Sequence, residues 1–186
     1  MKTHKTLKIL LDHFSSLDKK IKIAILAAAF LLVLFAASKM AFWAFVFIFA
    51  ASLAELYNVY VRTPLHLDLV KFGTILTAAA YGAPAGIFVG LTSTFFAKPF
   101  SLRLDFRVVI SFAGIIVIAL LAHAFSQVSI KLLGISLVVV YYLVTSPINL
   151  LMGEEPAYAV VYVGSSLLVN AMLFIAVAPK LAGLLH

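Results

Sequence analysis

Six apolar segments follow one another along this chain with little polar sequence between them. They cover residues 21–38, 40–61, 66–97, 106–126, 129–151 and 156–178. A bilayer core of roughly 30 Å takes about 20 helical residues, so segments of this length read as membrane-spanning helices. Composition agrees: 65% of residues are hydrophobic, and 11% are charged against about 25% in soluble domains. The mean hydropathy is +1.16. The expected fold is all-α, a polytopic integral membrane bundle of about six transmembrane helices, with residues 21–186 as a single unit.

Residues 1–20 stand apart. Leu7, Leu10, Leu11, Phe14 and Leu17 recur at helical spacing, while Lys5, Lys8 and Asp12 take other faces. This predicts a basic amphipathic helix on the cytoplasmic membrane surface, with Ser15 and Asp18 as a capping signal. The net charge of +7 lies mostly here and in short loops, where lysine and arginine set membrane orientation. It points to a cell membrane with the N-terminus in the cytoplasm, and not to nucleic acid. Without cysteine there is no disulfide frame and no thiolate metal site.

Segment 66–97 does not fit the pattern. Its 32 residues would make a helix of about 48 Å, long for one crossing. Each part on either side of Pro84 is short for a crossing of its own. One kinked helix, two short spans and a pair of half-helices all remain open. With the N-terminus inside, one crossing puts ten basic residues inside and four outside; two crossings give eleven and three. Both counts place Arg62 and Lys71 in an inside loop, and they barely separate the two. Within the segment Thr74, Ala78, Gly82, Gly86, Gly90 and Thr94 stand four apart, on one helical face. Such a row lets another helix come close, the kind of packing that drives association in lipid. Pro84 lies off the row and is expected to break the helix by clashing with the Ala80 carbonyl. The third helix is therefore expected to be broken or kinked near Gly82–Gly86.

Polar side chains inside apolar segments are costly and point to function. Glu55 and Asn58 share a face on the last turns of their segment, either at the interface beside Arg62 or turned inward. His66 and Asp68 follow in "TPLHLDL", which reads as a helix start with Thr63 as cap and Pro64 at the first helical position. His123 and Gln127 share a face at the end of the fourth segment, and Asn149 follows Ser146-Pro147, a signal for a kink or helix end. Asn170 is the deepest strongly polar side chain. It either bonds a neighbouring helix or faces a polar cavity. The candidate ligand-binding set is Asn170, Asn149, His123, Glu55 and Asn58. No H-E-x-x-H, G-x-S-x-G or P-loop occurs, so neither catalysis, a metal nor a cofactor is expected.

"LDLVKFGTILTAAAYGAPAGIFVGLTSTFF" (67–96) is similar to the early helices of substrate-binding S components of energy-coupling-factor transporters. "SSLLVNAMLFIAVAPKLAGLL" (165–185) resembles their last helix. The resemblance covers about a third of the chain. It implies capture of a vitamin or other small nutrient, then docking on a membrane coupling subunit driven by two ATPases. It implies contact with that subunit through an alanine pair four apart. Ala24 with Ala28 qualifies, and so does Ala50 with Ala54. Substrate groups would come from the later helices and a loop over the site. A second resemblance is to the MreD family, which implies a membrane scaffold without a ligand. The acidic residue expected after its glycine stretch is missing, since Thr92, Ser93 and Thr94 stand there. The chain is thus expected to be a small-molecule-binding membrane subunit of a transporter, in contact with lipid, other membrane subunits and ATPases. The alternative is a non-catalytic scaffold. A transporter would bring Asn170, Asn149 and His123 together on a cavity; a scaffold would spend them on helix–helix hydrogen bonds.

Overall fold

A computed structural model describes residues 38–61, 66–101 and 107–185, with the single positions 23, 30 and 33. The segment 1–20 lies outside the described residues, as do Thr63 and Pro64. Ala24 and Ala28, the first candidate pair for partner contact, also lie outside them. Seven helices occur among those described: α1 (Lys39–Val61), α2 (Leu69–Tyr81), α3 (Ala83–Ser101), α4 (Arg107–Ala124), α5 (Ile130–Leu151), α6 (Pro156–Ala176) and α7 (Ala178–Leu185). No described residue is in a strand. Three helices are long and apolar enough to cross a membrane: Lys39–Asn58 of α1, all of α5 and all of α6. Shorter apolar helical stretches are Leu69–Tyr81, Ala83–Phe96 and Val108–Ala124.

The chain divides into two compact units, residues 1–42 and 43–186. In the first, Ser38 opens α1: its carbonyl accepts the Phe42 N–H at 3.1 Å, and its hydroxyl accepts the Ala41 N–H at 3.4 Å. The helix packing described below belongs to the second.

Segment 66–97 is two helices folded back on each other. The break is at Gly82, with φ 99° and ψ 161°, a region that essentially only glycine enters. The small residues four apart then face their own continuation. A Cβ on Gly86 would lie 2.8 Å from the Thr74 carbonyl oxygen and against the Ala78 side chain. One on Gly90 would press into Thr74 Oγ1 and, across α4, into Ile115. Thr74 thus pairs with Gly90 and Ala78 with Gly86, with Gly82 at the turn. The expected partner helix is the segment's other arm.

Pro84 has a different role from the one expected of it. It is exposed in the first turn of α3, where an N–H has no intrahelical partner to lose. Gly82, and not a proline clash, makes the break. One further expectation is corrected. The helix after "TPLHLDL" starts at Leu69, with residues 66–68 non-helical and Asp68 at the N-cap. Of the two alternatives at Ser146-Pro147, the helix end is excluded, because α5 runs through Pro147 to Leu151.

Thr74, Thr77, Thr94 and Thr145 remove their polarity from this core by donating to carbonyls one turn back, at 2.7–2.8 Å. Phe72, Ile75, Leu76, Ile118, Val138 and Phe174 fill the centre. In α1, Ala44, Phe47, Ala51 and Ala54 form the buried face, with Phe47 seated on Gly73. Ala54, of the second candidate alanine pair, therefore faces the bundle, and Ala50 is half-buried. α7 follows α6 because Pro179 cannot donate to the helical ladder. Its end is tied to α2 through the Tyr81 hydroxyl, which donates to the Leu185 carbonyl at 2.8 Å.

Candidate functional site

Three pieces of chain meet halfway along α5 and α6. Ser166 is the eleventh of the 21 residues of α6, and Tyr142 the thirteenth of the 22 of α5. Against them stands the start of α2. Asp68 has extended backbone angles there, and its side chain makes no cap hydrogen bond to the helix. It faces Lys71 instead, one turn on along the same face. The two form a buried ion pair, with side chains 7% and 5% exposed.

The pair is enclosed by tyrosines. Lys71 Nζ lies 4.4 Å from the Tyr141 ring centroid and 4.6 Å from that of Tyr142. The two rings stand at 90° to each other, so they wall the ammonium on two sides. Such contacts gain strength when water is excluded. Gly114 of α4 makes room for Tyr141: a Cβ there would come within 3.0 Å of its Cδ2. On the carboxylate side, the Tyr142 hydroxyl lies 3.2 Å from Asp68 Oδ2 and 2.5 Å from Ser166 Oγ. Ser166 Oγ lies 3.5 Å from the same Oδ2. Asn170 Nδ2 donates to the Asp68 carbonyl at 3.1 Å and to the Ser166 carbonyl at 2.9 Å. Its Oδ1 is buried without a partner among the described residues.

A second layer holds residues 66–67 in place. Asn58 Oδ1 accepts the Leu67 N–H at 3.0 Å, and its Nδ2 donates to the Leu67 carbonyl at 2.9 Å. This amide grips one residue's backbone from both sides. Asn58 Nδ2 also lies 3.3 Å from Glu55 Oε2 and 3.5 Å from His66 Nε2. The His66 N–H donates to Ser165 Oγ at 3.2 Å, and its ring lies 4.4 Å from that of Tyr162. Glu55 and His66 side chains are 19% and 20% exposed, so this layer lies nearer the surface than the Asp68–Lys71 pair.

Of the candidate residues, Asn170 belongs to the inner layer, and Glu55 and Asn58 to the outer. Asn149 and His123 join neither. Asn149 is in the last turn of α5, where its backbone carbonyl accepts the N–H groups of Met152 and Glu154. His123 is exposed at the end of α4 beside the Gly82 turn. They stand at opposite ends of α5, so these three residues do not converge. A recess of about 230 Å³ lies elsewhere, lined by Leu76, Ala79, Ala80, Ser126, Val128 and Ala182 among others.

Lys71 is the main correction to the sequence reading: it is a buried partner of Asp68, not a loop charge that sets orientation. Tyr141, Tyr142 and Tyr162 carry no role in the sequence reading, and Ser166 stands out only as a serine one turn before Asn170. Their signal was weak, because tyrosine and serine are common in membrane helices for other reasons. The three-residue spacing of Asp68 and Lys71 was the one readable clue. No group of three or more His, Asp or Glu side chains that could hold a metal occurs among the described residues. No protein-family model, curated protein or solved structure matches the chain.

Proposed function

We propose that this protein is a membrane-embedded subunit that binds a small polar solute at the Asp68–Lys71 cluster. It draws energy from partner membrane and ATPase subunits and catalyses no reaction itself. The observation that carries this reading is the charged pair at the middle of two long apolar helices, where a short helix begins after non-helical chain. Ionisable groups at such depth are costly, and they recur on solute pathways. Transporters commonly build their sites where a helix starts inside the bundle. The cluster also draws on two later helices, from which the resemblance to S components would bring substrate groups. In this reading α1, the α2–α3 hairpin and α4 to α6 make up five of the expected spans, with the hairpin as the broken one; segment 21–38, the other, lies outside the described residues apart from single positions.

The test is native mass spectrometry of the protein extracted gently from its own membrane. A small molecule should co-purify with the wild type and be absent from Asn170→Leu, which removes both amide contacts. A second reading, a non-catalytic scaffold, has one observation in its favour: the inner polar groups largely pair with one another across helices. Protein partners without any ligand, unchanged by Asn170→Leu, would establish the scaffold and refute the binding subunit.

A further inference from the structure

The charges at the cluster restrict what it can accept; this inference rests on the binding reading above. Asp68 and Lys71 are each other's buried counter-ion. A solute carrying only positive charge would take Asp68 and leave the Lys71 ammonium without a partner. One carrying only negative charge would take Lys71 and strand Asp68. Either leaves an uncompensated charge out of water, the arrangement that buried ion pairs tolerate least.

The unused hydrogen-bonding capacity is equally selective. Lys71, Tyr142 and Ser166 all approach Asp68 through Oδ2, and Oδ1 takes no hydrogen bond among the described residues. Asn170 Oδ1 is fully buried and also lacks a donor. The orientation of that amide is fixed, since turning it over would set its oxygen against the Asp68 and Ser166 carbonyls. Two acceptors on adjoining residues therefore lack N–H or O–H groups, beside tyrosine faces already holding one ammonium. A fully buried acceptor without a donor, as Asn170 Oδ1 is among the described residues, is rare enough to call for a partner.

We propose that the site takes a small zwitterion. Its ammonium sits between Asp68 Oδ1 and Asn170 Oδ1, and its carboxylate pairs with Lys71. The insertion is electroneutral, every buried charge keeps an opposite charge, and the orphan Asn170 Oδ1 gains a donor.

The experiment uses the full chain in lipid nanodiscs, with calorimetric titration of glycine, β-alanine and γ-aminobutyrate. Each is compared with its single-charge counterparts, such as n-butylammonium and butyrate for γ-aminobutyrate. At least one zwitterion should bind about tenfold or more tighter than both of its counterparts, the size expected for a contact to a buried charge. Asp68→Asn combined with Lys71→Met removes both charges together, which spares the fold, and should abolish that preference. A single-charge counterpart binding as tightly as its zwitterion would overturn the proposal, as would an unchanged preference in the double variant. A co-purifying ligand of one charge sign, lost in Asn170→Leu, would overturn the zwitterion while leaving the binding reading intact. No co-purifying ligand, and no zwitterion bound, would remove both.

Discussion

Taking away one charge of the Asp68–Lys71 pair leaves the other where water does not reach. Lys71→Met alone should cost about 3–5 kcal/mol, whereas adding Asp68→Asn should recover most of that loss. Denaturant titration of the two variants in bicelles measures the difference. Asn170→Leu forfeits the contacts to the Asp68 and Ser166 carbonyls and should cost about 1–3 kcal/mol. At this scale the sequence was readable only in part. Asn170 stood out because an asparagine in mid-span has few uses. Lys71 did not, because a lysine between apolar segments reads first as a loop charge, and only tertiary packing placed it over two tyrosines.

For the elements, the sharpest contrast is between Gly82 and Pro84, two residues apart. Gly82→Ala forces a side chain into a backbone region that excludes it and should cost about 1–3 kcal/mol. Pro84→Ala should stay within about 1 kcal/mol of the wild type, because a first-turn proline replaces no hydrogen bond. Thermal unfolding of both would invert the usual expectation that the proline matters more. The 66–67 segment gives a second test. Asn58→Ala releases its two-sided grip on Leu67, so hydrogen exchange at the Leu67 amide should accelerate about tenfold or more, the equivalent of one hydrogen bond of ordinary net strength. The break in segment 66–97 was legible from its length and its glycines. The partner of the small-residue row was not, because a row four apart looks the same whether another helix or the segment's own return covers it.

Across the whole molecule, α5 separates two ends of the bundle. The Gly82 turn lies at the end that holds His123 and the connection to α5, and the α5–α6 connection lies at the other. The chain has no cysteine, so single cysteines report without background. Cysteines replacing Pro84 and Gln127, both exposed, should react with an impermeant maleimide from one side of the membrane, and one replacing Glu155 from the other. A cysteine at 84 that is shielded from both sides would mean a long continuous helix and would discard the hairpin. Apolar length made helices able to cross a membrane readable, but the crossing count rested on tallies that included Lys71, which packing had taken out of the loops.

The hairpin also limits how this gene can drift in length. Thr74 faces Gly90 and Ala78 faces Gly86, so each arm is read against the other from the turn outward. Inserting or deleting one residue in either arm rotates everything beyond it by about 100°. Small residues would then leave the seam and bulky ones such as Phe88 would enter it, even if composition and hydropathy were unchanged. Length changes in 69–96 should therefore survive only as whole helical turns or as matched changes in both arms, while the connections at 125–129 and 152–155 are under no such constraint.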